Sequence, residues 1–166
     1  MAEQSNALFT ISQLALALIG FSGIVIALGH RQLGKLSRGE KLQLYGLIGP
    51  PLTALICSFV PAVLASFISS ETSIWRWSHG ILGFLHLANF IGFYILARKW
   101  GGGVTKSQIV ISFIGVSFIF AHFLAAAGII SIYFALFIIG LMQQMSVGMI
   151  NFILLLIDPV GGSAED

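Results

Sequence analysis

Charge is what this sequence has least of. Asp, Glu, Lys and Arg make up 8% of its 166 residues and hydrophobic residues 57%, where a soluble domain carries roughly 25% charged residues. So little charge excludes a soluble enzyme, a nucleic-acid-binding protein and a disordered chain. The net charge of +2 arises in short loops and says nothing of acidic partners. Cysteine occurs once, so no disulfide framework exists within a monomer. Long polar stretches are missing too: the longest, His30–Gln43, leaves no room for a soluble domain. No Asp, Glu, Lys or Arg stands at the centre of an apolar segment. That absence excludes a carboxylate proton relay, a retinal Schiff base and a charged voltage sensor.

Apolar length is what the chain has in abundance. A membrane span needs about 20 mostly apolar residues, and five segments qualify: 8–29, 44–68, 79–97, 107–130 and 132–157. The last two come from one run between Lys106 and Asp158 that holds no Asp, Glu, Lys or Arg. As a single helix it would be about 76 Å long at 1.5 Å per residue, far beyond a ~30 Å hydrocarbon core. It must fold back, with the turn expected at Gly128–Ser131 and Ser131 capping the next helix. A four-span alternative would lay part of the run along the interface; five spans fit better. The expectation is an all-α, polytopic transmembrane helix bundle forming a single domain over residues 1–166.

Orientation follows from the basic residues. Arg31, Lys35, Arg38 and Lys41 fall in the first loop, Arg98, Lys99 and Lys106 in the third, and Arg76 alone on the other side. The positive-inside rule then puts the N terminus outside and the C terminus inside, with Trp75, Trp77 and Trp100 as interfacial anchors at span ends. Residues 1–29 do not read as a cleaved signal peptide. They lack a basic n-region, their apolar stretch is too long, and a basic cluster follows at once. Pro50, Pro51 and Pro61 remove backbone donors and should kink the second span, leaving Thr53 or Ser58 to satisfy the freed carbonyls. These breaks have no counterpart elsewhere, which argues against an inverted-repeat transporter.

Helices in lipid associate through small residues and close backbone approach. Gly23 and Ala27 in the first span, Ser117, Ala121 and Ala125 in the fourth, and Gly140 and Gly148 flanking Gln144 in the fifth form such stripes. They serve packing within one bundle or self-association into a homo-oligomer.

Histidines, amides, hydroxyls and one thiol remain at membrane depth. Counted at 1.5 Å per residue, His86 lies about 10 Å and His122 about 12 Å below the outer surface, with Cys57 about 16 Å down. His79 shares the face of His86, seven residues away. Two histidines at matching depth on antiparallel helices could be axial ligands of haem b, or bind a soft metal with Cys57. The plainer alternative is that they are interhelical hydrogen-bond donors. Asn89, Gln143, Gln144 and Asn151 form a second polar set. Gln143 and Gln144 point about 100° apart at 3.6 residues per turn, so both cannot face lipid: one lines a pore or a subunit interface, or the set makes structural interhelical hydrogen bonds.

Gly20-Phe21-Ser22-Gly23 has the form GxSG, which resembles the nucleophile motif of rhomboid intramembrane proteases. Ala121-His122 resembles their histidine span, and His86-Leu87-Ala88-Asn89 is one residue short of their HxxxN element. The order is reversed relative to that family. Ser22 is also about 21 Å from the outer surface, some 9 Å deeper than His122, out of reach of a general base. Taken whole, the chain is similar to small bacterial multi-pass inner-membrane proteins of unknown function. The features that carry this are Gly-Phe-Ser-Gly-Ile-Val-Ile-Ala-Leu-Gly at the end of the first span, a basic first loop, Trp-Arg-Trp-Ser before the third span and a Gln-bearing last span. The resemblance implies a bacterial inner membrane and supplies no activity. The expected function is non-enzymatic: small-solute or ion permeation, or service as a membrane subunit of a larger complex, with the lipid bilayer as first partner. The alternative is a haem- or pigment-binding electron carrier using His86 and His122.

Overall fold

The computed structural model describes residues 2–28, 38–100 and 106–157, and every regular element among them is an α-helix. The order is α1 (Ala2–Leu28), α2 (Arg38–Ala65), α3 (Glu71–Trp100), α4 (Lys106–Ala127) and α5 (Tyr133–Ile157). With 22 to 30 residues each, they run about 33–45 Å at 1.5 Å per residue. All five are long and apolar enough to cross a membrane, which fits a multi-pass membrane protein.

The helices alternate in direction, so the bundle has two ends. At the hairpin end α1 begins, and α2 turns into α3 and α4 into α5. At the opposite, basic end stand Arg38, Lys41, Arg98, Lys99 and Lys106. Helix α2 is the hub, packing on α1, α3 and α5, while α4 leans chiefly on α3 and touches α5 sparingly. Outward faces are strongly apolar, with Phe113, Phe120 and Phe84 exposed, as lipid contact requires. At the hairpin end a dry cluster joins Leu8, Ile11 and Ala15 of α1, Ala54 and Cys57 of α2, Trp75 and Leu82 of α3, and Phe137 and Leu141 of α5. Trp75 meets Phe134 and Phe137 edge-on at 5.5 and 5.7 Å between centroids, the orientation that ring quadrupoles favour.

The α4–α5 turn falls where the uninterrupted apolar run had to fold back. Helix α4 closes on Gly128, whose φ of +82° is the left-handed cap. Gly128 N–H donates to Ala125 O and Ile129 N–H to Leu124 O, both at 2.9 Å, which is the Schellman pattern. Arg76 reinforces it from α3, its Nε donating to Ala126 O at 2.9 Å and a terminal nitrogen to Ala127 O at 3.2 Å. Ser131 does not cap α5. The first bond of that helix runs from Leu136 N–H to Ile132 O, one residue later than expected.

Helix α3 begins at Glu71, eight residues before the expected start, because Ser70 caps it. Its hydroxyl accepts from Ser73 N–H at 3.3 Å and its carbonyl from Ile74 N–H at 3.0 Å, and Glu71 adds a carboxylate at the positive end of the helix dipole. Helix α2 continues through Pro50, Pro51 and Pro61. Thr53 and Ser58 do not satisfy the carbonyls those prolines free. Ser58 Oγ donates to Ala54 O and Leu55 O, and Thr53 Oγ1 accepts from Asn89 of α3.

Candidate functional site

One face of α3 carries His79, Gly83 and His86 at positions i, i+4 and i+7, which align on a helix. Helix α4 passes antiparallel with Gly115 and His122 on its facing side. His122 and His86 each sit opposite a glycine. A Cβ placed on Gly83 would lie 3.2 Å from His122 Cβ, and one on Gly115 would lie 3.4 Å from His86 Nε2. From the other side Gly140 of α5 backs onto the His122 ring so closely that a Cβ there would collide with His122 Nε2. His122 is thus held between two glycines, fully buried, and His79 is fully buried beside it.

Their hydrogen bonds fix the tautomers. His79 Nε2 lies 2.9 Å from Tyr133 O, and His79 Nδ1 lies 3.0 Å from His122 Nδ1. A backbone carbonyl only accepts, so His79 Nε2 carries the proton and donates. A neutral His79 then keeps a lone pair on Nδ1, and His122 Nδ1 must donate to it. That leaves His122 Nε2 as a bare lone pair, buried and without a partner.

Toward the basic end these helices and α2 line a half-open cavity of about 80 Å³. Its polar lining comes from His86 and Asn89 of α3, Gln143, Gln144 and Asn151 of α5, Tyr45 of α2 and Ser112 of α4. Some of these groups are tied down. Asn89 Nδ2 donates to Thr53 Oγ1 at 2.6 Å and Gly49 O at 3.4 Å, Tyr45 Oη donates to Asn89 O at 3.5 Å, and Asn151 Nδ2 donates to Val147 O at 2.8 Å. Glycines make room here as well: a Cβ on Gly46 would come within 2.7 Å of the Asn151 amide, and one on Gly92 would strike the Tyr45 hydroxyl. Three buried polar atoms around the cavity have no partner: His86 Nδ1, Gln143 Oε1 and Gln144 Nε2.

Such a site offers donors and acceptors with no fixed charge. It suits water or a small neutral polar molecule. A cavity able to hold one water needs about 10–15 Å³, so this one has room for several waters or for one solute of a few heavy atoms.

All four amides singled out in the sequence, Asn89, Gln143, Gln144 and Asn151, line this cavity, and so does His86. Gln143 and Gln144 both reach it despite their angular separation. His122 is the correction: it is paired with His79, not with His86, and does not line the cavity. A haem between His86 and His122 has no slot in this arrangement, because His122 Nδ1 is occupied by His79 and its Nε2 faces the Gly140 backbone. Among the described residues no three of His, Cys, Asp and Glu come together as metal ligands, and Cys57 belongs to the dry cluster. Ser22 donates to Leu18 O at 2.6 Å, and among the described residues it bonds to no histidine.

The small-residue stripes divide. Gly140, Gly148 and Ala125 are buried in the chain's own packing, with Gly148 against Pro51 and Leu18. Ala121 is half-buried, and Ser117 is exposed with its hydroxyl folded back on Phe113 O. Gly23 is exposed with nothing within 4 Å of a built Cβ, and the Ala27 side chain lies outside the described residues. Sequence reasoning missed Thr53 and Tyr45 as partners of Asn89, Ser112 in the cavity lining, and His79 as the mate of His122. Compared with protein-family models, with curated proteins and with solved structures, the chain matches none of them.

Proposed function

We propose that this chain is a non-enzymatic, multi-pass membrane protein through which a small neutral polar solute permeates by way of the α2–α3–α4–α5 cavity. The observation that carries the reading is the set of three buried, unpartnered polar atoms around one space: His86 Nδ1, Gln143 Oε1 and Gln144 Nε2. Leaving a buried donor or acceptor unsatisfied costs about 1–3 kcal/mol each. A hydrogen-bonding occupant offsets that cost, and purely structural amides would have been paired or replaced by apolar side chains. The absence of fixed charge in the lining favours neutral solutes over ions.

In the same proposal the basic end is cytoplasmic by the positive-inside rule, with the N terminus outside and the C terminus inside, in a bacterial inner membrane. The cavity then belongs to the cytoplasmic half of the bundle. Self-association, or docking into a larger membrane complex, uses the exposed small residues Gly23 and Ser117, since Gly140 and Gly148 are already engaged within the chain.

The test is stopped-flow light scattering on liposomes containing the purified chain. Gradients of urea, glycerol and sodium chloride should separate the cases. Faster entry of one or more neutral solutes than into empty liposomes, with sodium chloride still excluded, is expected. Identical traces for filled and empty liposomes with every neutral solute would sink the reading.

A further inference from the structure

We propose that His79 and His122, fed by His86 and the cavity, form a proton-conducting path to the hairpin end of the bundle. The argument starts from the fixed tautomers. His79 holds its proton on Nε2 against Tyr133 O, His122 holds its proton on Nδ1 against His79, and the two Nδ1 atoms are 3.0 Å apart. His122 Nε2 is the only nitrogen of the pair left open, and it is buried. A pair that served packing alone would gain nothing from keeping a bare lone pair in the interior, where it costs about 1–3 kcal/mol.

The lone pair is where a proton enters. A proton bound at His122 Nε2 makes that ring an imidazolium. Its Nδ1 proton crosses the 3.0 Å bond to the His79 Nδ1 lone pair, and the Nε2 proton of His79 leaves beside Tyr133 O. One proton has entered and one has left, no electron has moved, and both rings remain neutral in exchanged tautomers. Rotation of the two rings restores the starting state; the reverse hop would return the proton to the side it came from. The supply comes from the basic end. His122 sits opposite Gly83, and His86 is three residues further along α3, a rise of about 4.5 Å, so the proposal places a relay water between the two. His86 is among the residues lining the cavity, and its Nδ1 is buried without a partner.

The groups around the pair fit this role. From α5, the Tyr133 ring is 6.1 Å and the Phe137 ring 5.4 Å from that of His79, and from α4 the Phe118 ring is 6.2 Å from that of His122. Cys57 of α2 and the apolar Leu8, Ile11 and Ala15 of α1 belong to the cluster that includes Leu82 and Phe137. Arg76, one turn before His79, is engaged with Ala126 O and Ala127 O. Tyr133, Cys57, His86 and Arg76 are thus the titratable groups named around the pair among the described residues, and Glu71, at the start of α3 about 12 Å before His79, is the carboxylate of that helix.

Proton flux is read from entrapped pyranine in liposomes holding the full chain, driven by a potassium gradient with valinomycin. Wild-type flux should exceed that of empty liposomes at least tenfold. His122→Gln and His79→Gln, which keep hydrogen bonding but cannot take up and release a proton, should fall to the empty-liposome rate. Their neutral-solute permeation, measured on the same preparations, should stay at the wild-type level. Wild-type flux no greater than background, or unchanged flux in folded His122→Gln, overturns the proposal. If both variants fail to fold, imidazole 15N shifts of the wild-type chain decide alongside its own flux. They must leave His122 Nε2 unprotonated, and a protonated Nε2 there rejects the path. Proton flux without solute permeation keeps this inference and removes the permeation reading; solute permeation without proton flux does the reverse.

Discussion

A methyl group added at Gly140 would collide with the His122 ring and one at Gly148 with the Pro51 ring, whereas at Gly23 it would meet nothing within 4 Å. The three glycines look alike in the sequence, each spaced four or eight residues from another small residue. Glycine within a helix costs roughly 0.5–1 kcal/mol relative to alanine, so Gly23→Ala should be neutral or mildly stabilising. At Gly140 and Gly148 the clash is with a buried ring, and overpacking of that kind costs about 1–3 kcal/mol. Thermal unfolding in mild detergent should therefore show Gly140→Ala and Gly148→Ala destabilised and Gly23→Ala not. Equal midpoints for all three would mean that these contacts do not hold the bundle together. Spacing identified Gly140 and Gly148 as packing positions but could not say against what, because the face a helix turns to its neighbour depends on its rotation. A spacing that reads equally well as a subunit interface turned out to seat a histidine and a proline of the same chain.

At the level of the helix, two ties invite measurement. Asn89 joins α3 to α2 through Thr53 Oγ1 and Gly49 O. Interhelical hydrogen bonds in membranes average about 0.6 kcal/mol, so Asn89→Ala and Thr53→Val should each cost about that much. Their double mutant should cost less than the sum, since both remove the same bond; strict additivity would contradict the tie. Arg76 and Gly128 together close α4. Removing the Arg76 guanidinium leaves Ala126 O and Ala127 O to other donors, a loss of about 0.3–1 kcal/mol at an exposed helix end. Hydrogen exchange at the Gly128 and Ile129 amides should quicken in Arg76→Ala while the centre of α4 is unaffected. The boundaries show how far sequence carries at this scale. The α4–α5 turn was legible because its length left no choice and Gly128 supplied the left-handed residue. The start of α3 was placed eight residues late, although Ser70 followed by Glu71 is a helix-start signal, since hydropathy alone marks where lipid begins rather than where the helix does. That shift changed the site. Counted from Glu71, His79 is about 12 Å into α3, and His122, opposite Gly83, turns its ring to His79 rather than to His86.

The whole molecule is a hub-and-neighbour bundle whose two halves differ in character. The hairpin half is built on the apolar cluster of Trp75, Phe137 and Leu141 beside a groove of about 330 Å³ that Gln4, Ser5 and Glu71 help to line, and the basic half holds the amide-lined cavity. Composition and hydropathy made the five helices legible, and the amides that line the cavity stood out because polar residues are rare in such segments. Their convergence was not legible: Asn89, Gln144 and Asn151 lie on two helices whose mutual rotation no single-chain pattern encodes. If Gly23 and Ser117 mark the surface for a second copy, Gly23→Leu with Ser117→Leu should lower the oligomer mass in native-like lipid without shifting the unfolding midpoint. An unchanged mass would remove that surface.

The measurement that reaches the account most directly compares neutral-solute entry into liposomes bearing wild-type chain with entry into liposomes bearing Gln144→Leu. Gln144 is 1% exposed and its Nε2 is unpartnered at the cavity, so leucine preserves bulk while removing the hydrogen-bonding lining. The account predicts that the solute admitted by the wild type enters at least several-fold more slowly with Gln144→Leu, while the folded variant unfolds no earlier than the wild type. Equal entry through both proteins would contradict it, since the cavity would then have no part in passage.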